Sequence, residues 1–456
     1  MVLLLSLTFA ACRTVGPDYQ KPAVAVPDHW YGASSATGDK SIAETAWFDI
    51  FGDPVLRSLI EEALRNSYDV RIAAARVEEA RARYGIAGAA RYPDVDYQLR
   101  TGYGRQGGET GAAVAADVGA AWEIDLWGRI RRLNEAARAQ YLASEEGRHA
   151  VQLALVAEVA SAYFDLRELD AELEIARQTV GAFQNTVDLF NNRLRGGTAS
   201  GLETTRAEAL LANAAAQIPL IERDIIATEN QLNLLMGHVP GPIARGAALT
   251  EQPIPAAVPA GLPSALLLRR PDVRAAEQAL IAANANIGVA QAAFYPTLSL
   301  TGLLGVQSSD LSELFTEGRV WNVQAGLLGP IFNAGRLRNQ RRVAVAQFEE
   351  ALAQYEQSVT RALADASTSI VTLEKLAVAE TERDRALRAN EEAVRLVNLR
   401  YESGFSAYFE VLDAMQQLFI AQNNRARTHR DRLVALVQLY RALGGGWSVE
   451  NVAQGE

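Results

Sequence analysis

The sequence predicts an α+β membrane protein. Three chains pool four strands each into a trimeric, twelve-stranded β-barrel, which is joined to a long α-helical coiled-coil barrel. The whole pattern is written twice by an internal tandem duplication. Three observations carry this. A set of Gly, Pro and Tyr positions recurs at constant spacing along the 456 residues. Two proline-free helical stretches are too long for any globular core. Four alternating runs have the length of a tilted strand crossing a bilayer.

Composition removes several alternatives. At 49% hydrophobic residues the chain has enough apolar content to fold around a sizeable core. A net charge of -10 argues against a binder of nucleic-acid backbone, which needs a basic face. The single cysteine, Cys12, excludes an intramolecular disulfide and any cysteine-ligated cluster. His29, His149, His238 and His429 are scattered, and no two stand at i, i+4, so no helical metal site is expected. There is no phosphate-cradling G-x-x-x-x-G-K-[ST], no G-x-S-x-G and no H-E-x-x-H. Neither an enzyme nor a cofactor is expected.

Elements follow in chain order. The apolar run Val2–Ala11 would span about 15 Å as a helix, half the hydrocarbon thickness, and so has the length of a signal-peptide core. Residues 1–11 are therefore read as a signal peptide. Phe9-Ala10-Ala11 before Cys12 resembles a bacterial lipoprotein box, which makes Cys12 the lipid-attachment residue of an extended segment over 12–53. A plain signal peptide with a chance cysteine is the alternative. No other run reaches the ~20 apolar residues of a membrane-spanning helix.

The duplication organises the rest. Asp69-Val70-Arg71 recurs as Asp272-Val273-Arg274, and Tyr92-Pro93 as Tyr295-Pro296, 203 residues on; Gly85 and Gly288 keep that offset. Thereafter the offset is 207: Gly128-Arg129 matches Gly335-Arg336, Gly197 matches Gly404, Glu203 matches Glu410, and Gly237 matches Gly444. The first repeat is assigned to 54–243, a linker to 244–261, the second repeat to 262–447 and a tail to 448–456. Each repeat opens with a helical segment, about Pro54–Ala90 and about Pro271–Ala293.

Alternating strands come next. Val95, Tyr97 and Leu99 oppose Asp96, Gln98 and Arg100, and Val118, Ala120, Trp122 and Ile124 share one face. Leu298, Leu300, Leu304 and Val306 do the same in the second repeat, as do Trp321, Val323, Ala325 and Leu327. A soluble hairpin would show the same alternation.

The helices decide between these readings. From Arg129 to Arg195 there is no proline, and 67 helical residues reach roughly 100 Å. Leu166, Leu169, Leu173, Ala176, Val180, Phe183, Val187, Phe190 and Leu194 form a heptad seam that needs a partner helix. Leu211, Ala214, Ile218, Ile221, Ile225, Thr228, Leu232 and Leu235 supply one, with a kink expected at Pro219. In the second repeat Glu380, Arg383 and Asn390 interrupt the seam and are read as facing a further neighbour or water. Four strands cannot close a barrel, and open edges are not tolerated in lipid, so several chains must combine. Three would give twelve strands around a water-filled lumen.

The stretches Gly16-Pro17-Asp18-Tyr19, Trp47-Phe48…Asp53…Leu56, Trp122-Glu123-Ile124-Asp125-Leu126-Trp127-Gly128-Arg129, Arg269-Arg270-Pro271-Asp272-Val273-Arg274 and Phe294-Tyr295-Pro296 carry a family resemblance. The chain resembles the outer membrane factor family, the exit ducts of tripartite efflux and secretion systems. Within it, the chain is most similar to the lipoprotein branch serving resistance–nodulation–division multidrug pumps. The resemblance implies a homotrimer in the outer membrane of a Gram-negative bacterium, with a helical barrel through the periplasm. It also implies two partners, a periplasmic adaptor (membrane fusion) protein and an inner-membrane pump.

It further implies roles for particular residues. The reversals Gly196-Gly197-Thr198-Ala199-Ser200 and Gly404-Phe405-Ser406 would be the tips that dock the adaptor. Glu410 and Asp413 match an acidic pair ringing the closed entrance, Tyr401 matches a gating tyrosine, and Glu203 with Arg206 hold the equivalent place in the first repeat. Ser406 departs from the pattern, since some relatives carry a gate-locking arginine there. A non-channel coiled-coil lipoprotein, or the same duct used for protein secretion or metal export, are the alternatives.

Overall fold

The computed structural model describes residues 14–32, 52–106, 109–198, 200–252, 254–255, 261, 263–308, 314, 316 and 318–445. The apolar run, Cys12, Trp47-Phe48 and the tail lie outside them. Chain order is α1 (Pro54–Asn66), α2 (Tyr68–Ala89), β1 (Asp94–Gln106), β2 (Glu109–Ile124), α3 (Arg129–Arg195) and α4 (Gly201–Leu235). It continues with α5 (Pro263–Arg269), α6 (Pro271–Ala292), β3 (Thr297–Ser308), β4 (Arg319–Leu328), α7 (Arg336–Glu402) and α8 (Tyr408–Ala442). None of the described helices is long and apolar enough to cross a membrane.

In the longer helices the duplication is kept to the residue. Helices α2 and α6 have 22 residues each and start 203 apart. Helices α3 and α7 have 67 each, α4 and α8 have 35 each, and both pairs start 207 apart. Gly128 and Gly335, Gly197 and Gly404, and Gly237 and Gly444 all sit at positive φ, between 70° and 83°. Glycine is needed at each because a Cβ strains that backbone, and this is why these residues hold the offset.

One expectation is corrected. The segment read as one helix over Pro54–Ala90 is broken at Ser67, whose N–H caps α1 by donating to Ala63 O at 2.9 Å. The second repeat breaks at the matching place, Arg270, because Pro271 cannot extend α5. Helix α4 holds Pro219 inside its length, at the place where the kink is expected.

The described residues form two compact units, each drawing on both repeats. The first contains the chain up to Val24, Ala74–Gly147 and Asp272–Ser358. Its sheet is antiparallel throughout, in the order β1-β2-β3-β4. The register puts Tyr97, Val118, Leu304 and Trp321 in one cross-strand row and Val95, Ala120, Gly302 and Val323 in the next. The other face carries Asp94, Ala121, Thr301 and Gln324, then Asp96, Gly119, Leu303 and Asn322. That polar face is hollowed by a groove of about 620 Å³ lined by Asp94, Asp96, Asp117, Asn322 and Gln324. On the apolar face Tyr97, Trp321 and Leu327 stay exposed, as lipid-facing strand residues must.

Below the sheet, Ala136 and Ala139 of α3 meet Ala282 and Ala285 of α6, side chains small enough for close helix approach. Residues 14–21 are laid across this pair as a strap. Arg132 Nη2 donates to Asp18 at 2.6 Å, Asn284 to Pro17 O at 3.0 Å, and Lys21 pairs with Glu277 at 2.7 Å. A Cβ on Gly16 would stand 2.4 Å from the Gly288 Cα, which explains the glycine at 16, and one on Gly288 would stand 2.8 Å from the Arg132 Cγ.

The second unit contains Ala25–Ala73, Arg148–Pro271 and the chain from Val359 on. Of the predicted seam, Leu166, Ala176, Phe183, Val187 and Phe190 are buried with Ala214 and Leu232 of α4, whereas Leu194 at its end is exposed and Ala207, outside the predicted set, is also buried. The polar seam positions need separate accounts. Glu380 faces the return helix and not water: it is buried and paired with His429 Nδ1 and, at 2.6 Å, with Arg432 of α8. Arg383 stays exposed, and Asn390 bonds Ala386 O of its own helix at 2.8 Å.

A second charged cluster, in which Glu168 and Glu172 are buried and Arg427 is exposed, joins α3 to α8. Arg430 bonds Asp165 at 2.9 Å, and Arg427 reaches Glu172 at 2.7 Å and Glu168 at 3.6 Å. Burial, reinforced by the neighbouring Glu172 carboxylate, pushes the Glu168 carboxyl up to about 8. The native state therefore holds a proton that the unfolded chain releases in the ordinary carboxylate range. Stability should fall as pH rises from there toward 8, since the folded form binds more protons over that window. Glu168→Gln should flatten this slope in thermal melts between pH 5 and 8. A slope identical to the parent would contradict the assignment of that proton to Glu168.

Candidate functional site at the hairpin tips

Two helical reversals, 196–200 and 403–407, end the hairpins of the second unit. In the first, Gly197 takes φ +70°, and Thr198 N–H returns to Arg193 O at 2.8 Å. Ser200 then starts α4 with a reciprocal cap. Its Oγ accepts from Glu203 N–H at 3.4 Å, and its N–H donates to Glu203 Oε2 at 2.8 Å. In the second, Gly404 takes φ +79°, Phe405 N–H returns to Arg400 O at 2.8 Å, and Arg400 Nη2 donates to Phe405 O at 3.3 Å.

Here the repeats diverge. Ala407 stands where the first repeat has Ser200, and it offers no side-chain cap to α8. Glu410, the counterpart of Glu203, is thereby released from capping. Its carboxylate and that of Asp413 are exposed, three residues apart on one helix face, while Val411 and Leu412 between them are buried. Among the described residues neither has a salt-bridge partner in the chain. Ser406 Oγ makes no hydrogen bond among the described residues, so none of them latches it.

The remaining predicted residues tie one hairpin to the other. Tyr401 packs edge-on against Tyr408, ring centres 4.7 Å apart. The Arg193 guanidinium lies 5.2 Å over the Tyr401 ring and donates to its Oη. Tyr408 in turn meets Phe190 at 4.6 Å and shares a hydrogen bond of 2.8 Å with Thr186. Arg206 stands 5.5 Å over Phe409. Among the gate candidates, Tyr401 and Arg206 make cross-hairpin contacts, Glu203 caps a helix, and Glu410 and Asp413 are free. Sequence reasoning missed Thr186, Arg193, Tyr408 and Phe409. Their one visible signal was Tyr408 itself, an aromatic standing where the repeat has Gly201. At the tips, Gly196, Gly197, Thr198, Ser200, Gly404 and Phe405 are all exposed.

A family model, outer membrane efflux protein, matches residues 59–238 and 262–445. The chain belongs to the outer membrane efflux protein family. It is 38% identical over 461 residues to the solvent efflux pump outer membrane protein SrpC of Pseudomonas putida, covering 97% of each chain. It is 33% identical to the probable outer membrane lipoprotein SilC of Salmonella typhimurium, covering 96% of each. The solved outer-membrane channel OprN superposes with a TM-score of 0.89 at 32% identity, over 95% of this chain and 100% of that one. The protein is thus an efflux duct of the outer membrane with a large periplasmic portion, and its four strands are one third of a trimeric barrel. A water-filled barrel of this kind has a polar lumen wall and an apolar lipid face, which the two faces of the sheet match. Members of this family are channels, not enzymes.

Proposed function

We propose that this duct gives toxic small molecules, drugs and solvents among them, an exit across the outer membrane in a tripartite system. An inner-membrane resistance–nodulation–division pump supplies the energy and a periplasmic adaptor the link. The two reversals dock the adaptor through Gly196–Thr198, Ser200 and Gly404–Ser406, and Cys12 carries the lipid that anchors the chain. Glu410 and Asp413 ring the periplasmic entrance, and Tyr401 with Arg206 hold the hairpins together in the closed form.

The observation that carries the gate is the released Glu410. Losing the cap leaves two unpaired carboxylates beside the reversal, so three chains would set six around one opening. Such a ring favours cations and resists anions. Resemblance to SrpC favours organic solutes over protein cargo.

The docking assignment is tested in a Gram-negative host lacking its own duct. Co-expression with the periplasmic adaptor and inner-membrane pump of a solvent efflux system should restore drug and solvent resistance. Phe405→Glu should abolish that resistance while outer-membrane trimer is unchanged. Full resistance with Phe405→Glu and Gly197→Asp combined would contradict docking at the tips.

A further inference from the structure

The sheet has two free edges, β1 and β4, and the repeat predicts how they meet. The β1–β2 pair Asp94↔Ala121 becomes, under the 203 and 207 offsets, the observed β3–β4 pair Thr297↔Leu328. The one internal junction between repeats, β2–β3, runs from Val114↔Ser308 to Ile124↔Leu298. Applying the same offsets to it gives the junction of β4 with the β1 of a second copy. Leu327 then opposes Leu99, Val323 opposes Tyr103, and Ile331 opposes Val95. Every apolar residue in these pairs stays on the lipid face.

The strand ends agree. Strand β2 continues to Ile124, beyond its β1 ladder, because β3 pairs with residues 122–124. Strand β4 stops at Leu328, where its β3 ladder stops. The residues matching 122–124, Gly329 to Ile331, have no strand beside them in a single chain, and Ile331 is 102% exposed.

Charges are exchanged across the two junctions. Inside the chain Arg129 donates twice to Glu123, at 2.9 and 2.6 Å, and Arg131 pairs with Asp125 at 3.2 Å. The second repeat keeps both arginines as Arg336 and Arg338 but has Pro330 and Phe332 in place of the acids. Both arginines are exposed without a carboxylate partner among the described residues. On the opposite strand the exchange is reversed: neutral Thr297 and Ser299 in β3 correspond to Asp94 and Asp96 in β1. Those aspartates are exposed and likewise unpaired among the described residues. The derived register sets Pro330 opposite Asp96 and, one pair beyond the ladder, Phe332 opposite Asp94.

We infer that Arg336 and Arg338 of one protomer pair with Asp96 and Asp94 of the partner subunit, sealing each β4–β1 seam of the barrel in trans. This rests on the trimeric barrel and adds its register and its charged clasp.

Cysteine pairs read the register. Residues directly opposed on antiparallel strands have Cα atoms about 4.5–5.5 Å apart, within disulfide reach, whereas a diagonal neighbour stands at about 7–8 Å. Leu327→Cys with Leu99→Cys should oxidise to a covalent trimer. Leu327→Cys with Thr101→Cys, or with Tyr97→Cys, should not. Charge reversal reads the clasp. Arg336→Asp or Asp96→Arg alone removes one ion pair from each of three seams. At a factor of about five per pair, the assembly constant falls roughly a hundredfold. The double variant should regain most of that loss. A trimer that crosslinks best through an offset pair, or a double variant no better than the product of the singles, overturns the inference while leaving the trimer intact. Failure of the unmodified chain to form a trimer would instead remove the barrel on which it rests.

Discussion

Replacing Glu410 and Asp413 together by alanine should raise the ionic conductance of the reconstituted duct severalfold, weaken its preference for cations and make cells leak antibiotic. The expected size follows from the number of charges. In the proposed gate three chains would place six carboxylates around one constriction, and the substitution would remove both their bulk and their field. Within each chain the two side chains are exposed and have no salt-bridge partner among the described residues. Their loss therefore strands no buried charge and should leave the fold intact, so a change in conductance reports the opening and not misfolding. Unchanged conductance and unchanged ion preference in the double variant would remove these residues from the gate. Glu203→Ala is the control from the other repeat. That carboxylate is held by the Ser200 cap, so its loss should cost helix stability of about 1 kcal/mol and leave ion preference near that of the parent.

The largest effect on stability is expected at Asp53. Its carboxylate is buried, 4% exposed, and has four donors. Oδ1 accepts from Val55 and Leu56 N–H at 2.8 and 3.3 Å, which caps α1. Oδ2 accepts from Tyr163 Oη at 2.8 Å and Gln252 Nε2 at 2.7 Å. Asp53→Ala deletes the cap and leaves two buried donors unanswered, a loss of about 3–5 kcal/mol. Burial alone would raise the Asp53 carboxyl, but the bonds from Gln252, Tyr163 and the two N–H groups outweigh it and hold the group below the usual carboxylate range. The linkage sign follows: this stabilisation is complete above the ordinary aspartate range and is lost as pH falls through the native value. Thermal unfolding followed by helical circular dichroism measures it. A loss under about 1 kcal/mol in Asp53→Ala would contradict the role given to this residue.

Much of this was legible in the sequence because repetition and periodicity are themselves sequence properties. Gly128, Gly197 and Gly237 with their partners 207 residues on marked the reversals, since only glycine sits comfortably at the positive φ found there. The heptad residues from Leu166 to Phe190 and the alternating strand residues marked the buried and lipid-facing surfaces for the same reason. What stayed hidden depends on contacts between residues far apart in the chain. Glu380 looked like a polar interruption because its partners, His429 and Arg432, lie some fifty residues on. Arg193 and Tyr408 looked like ordinary helix residues until the two hairpins brought them around Tyr401. The helix break at Ser67 escaped notice because neither glycine nor proline stands there.

The most direct test of the account is the mass of the detergent-extracted particle from separated outer membranes of a Gram-negative host. A three-chain particle in the outer-membrane fraction is the predicted result, because four strands with two free edges need two further copies to close. A monomer, or protein confined to the soluble or inner-membrane fractions, would contradict the barrel and with it the duct.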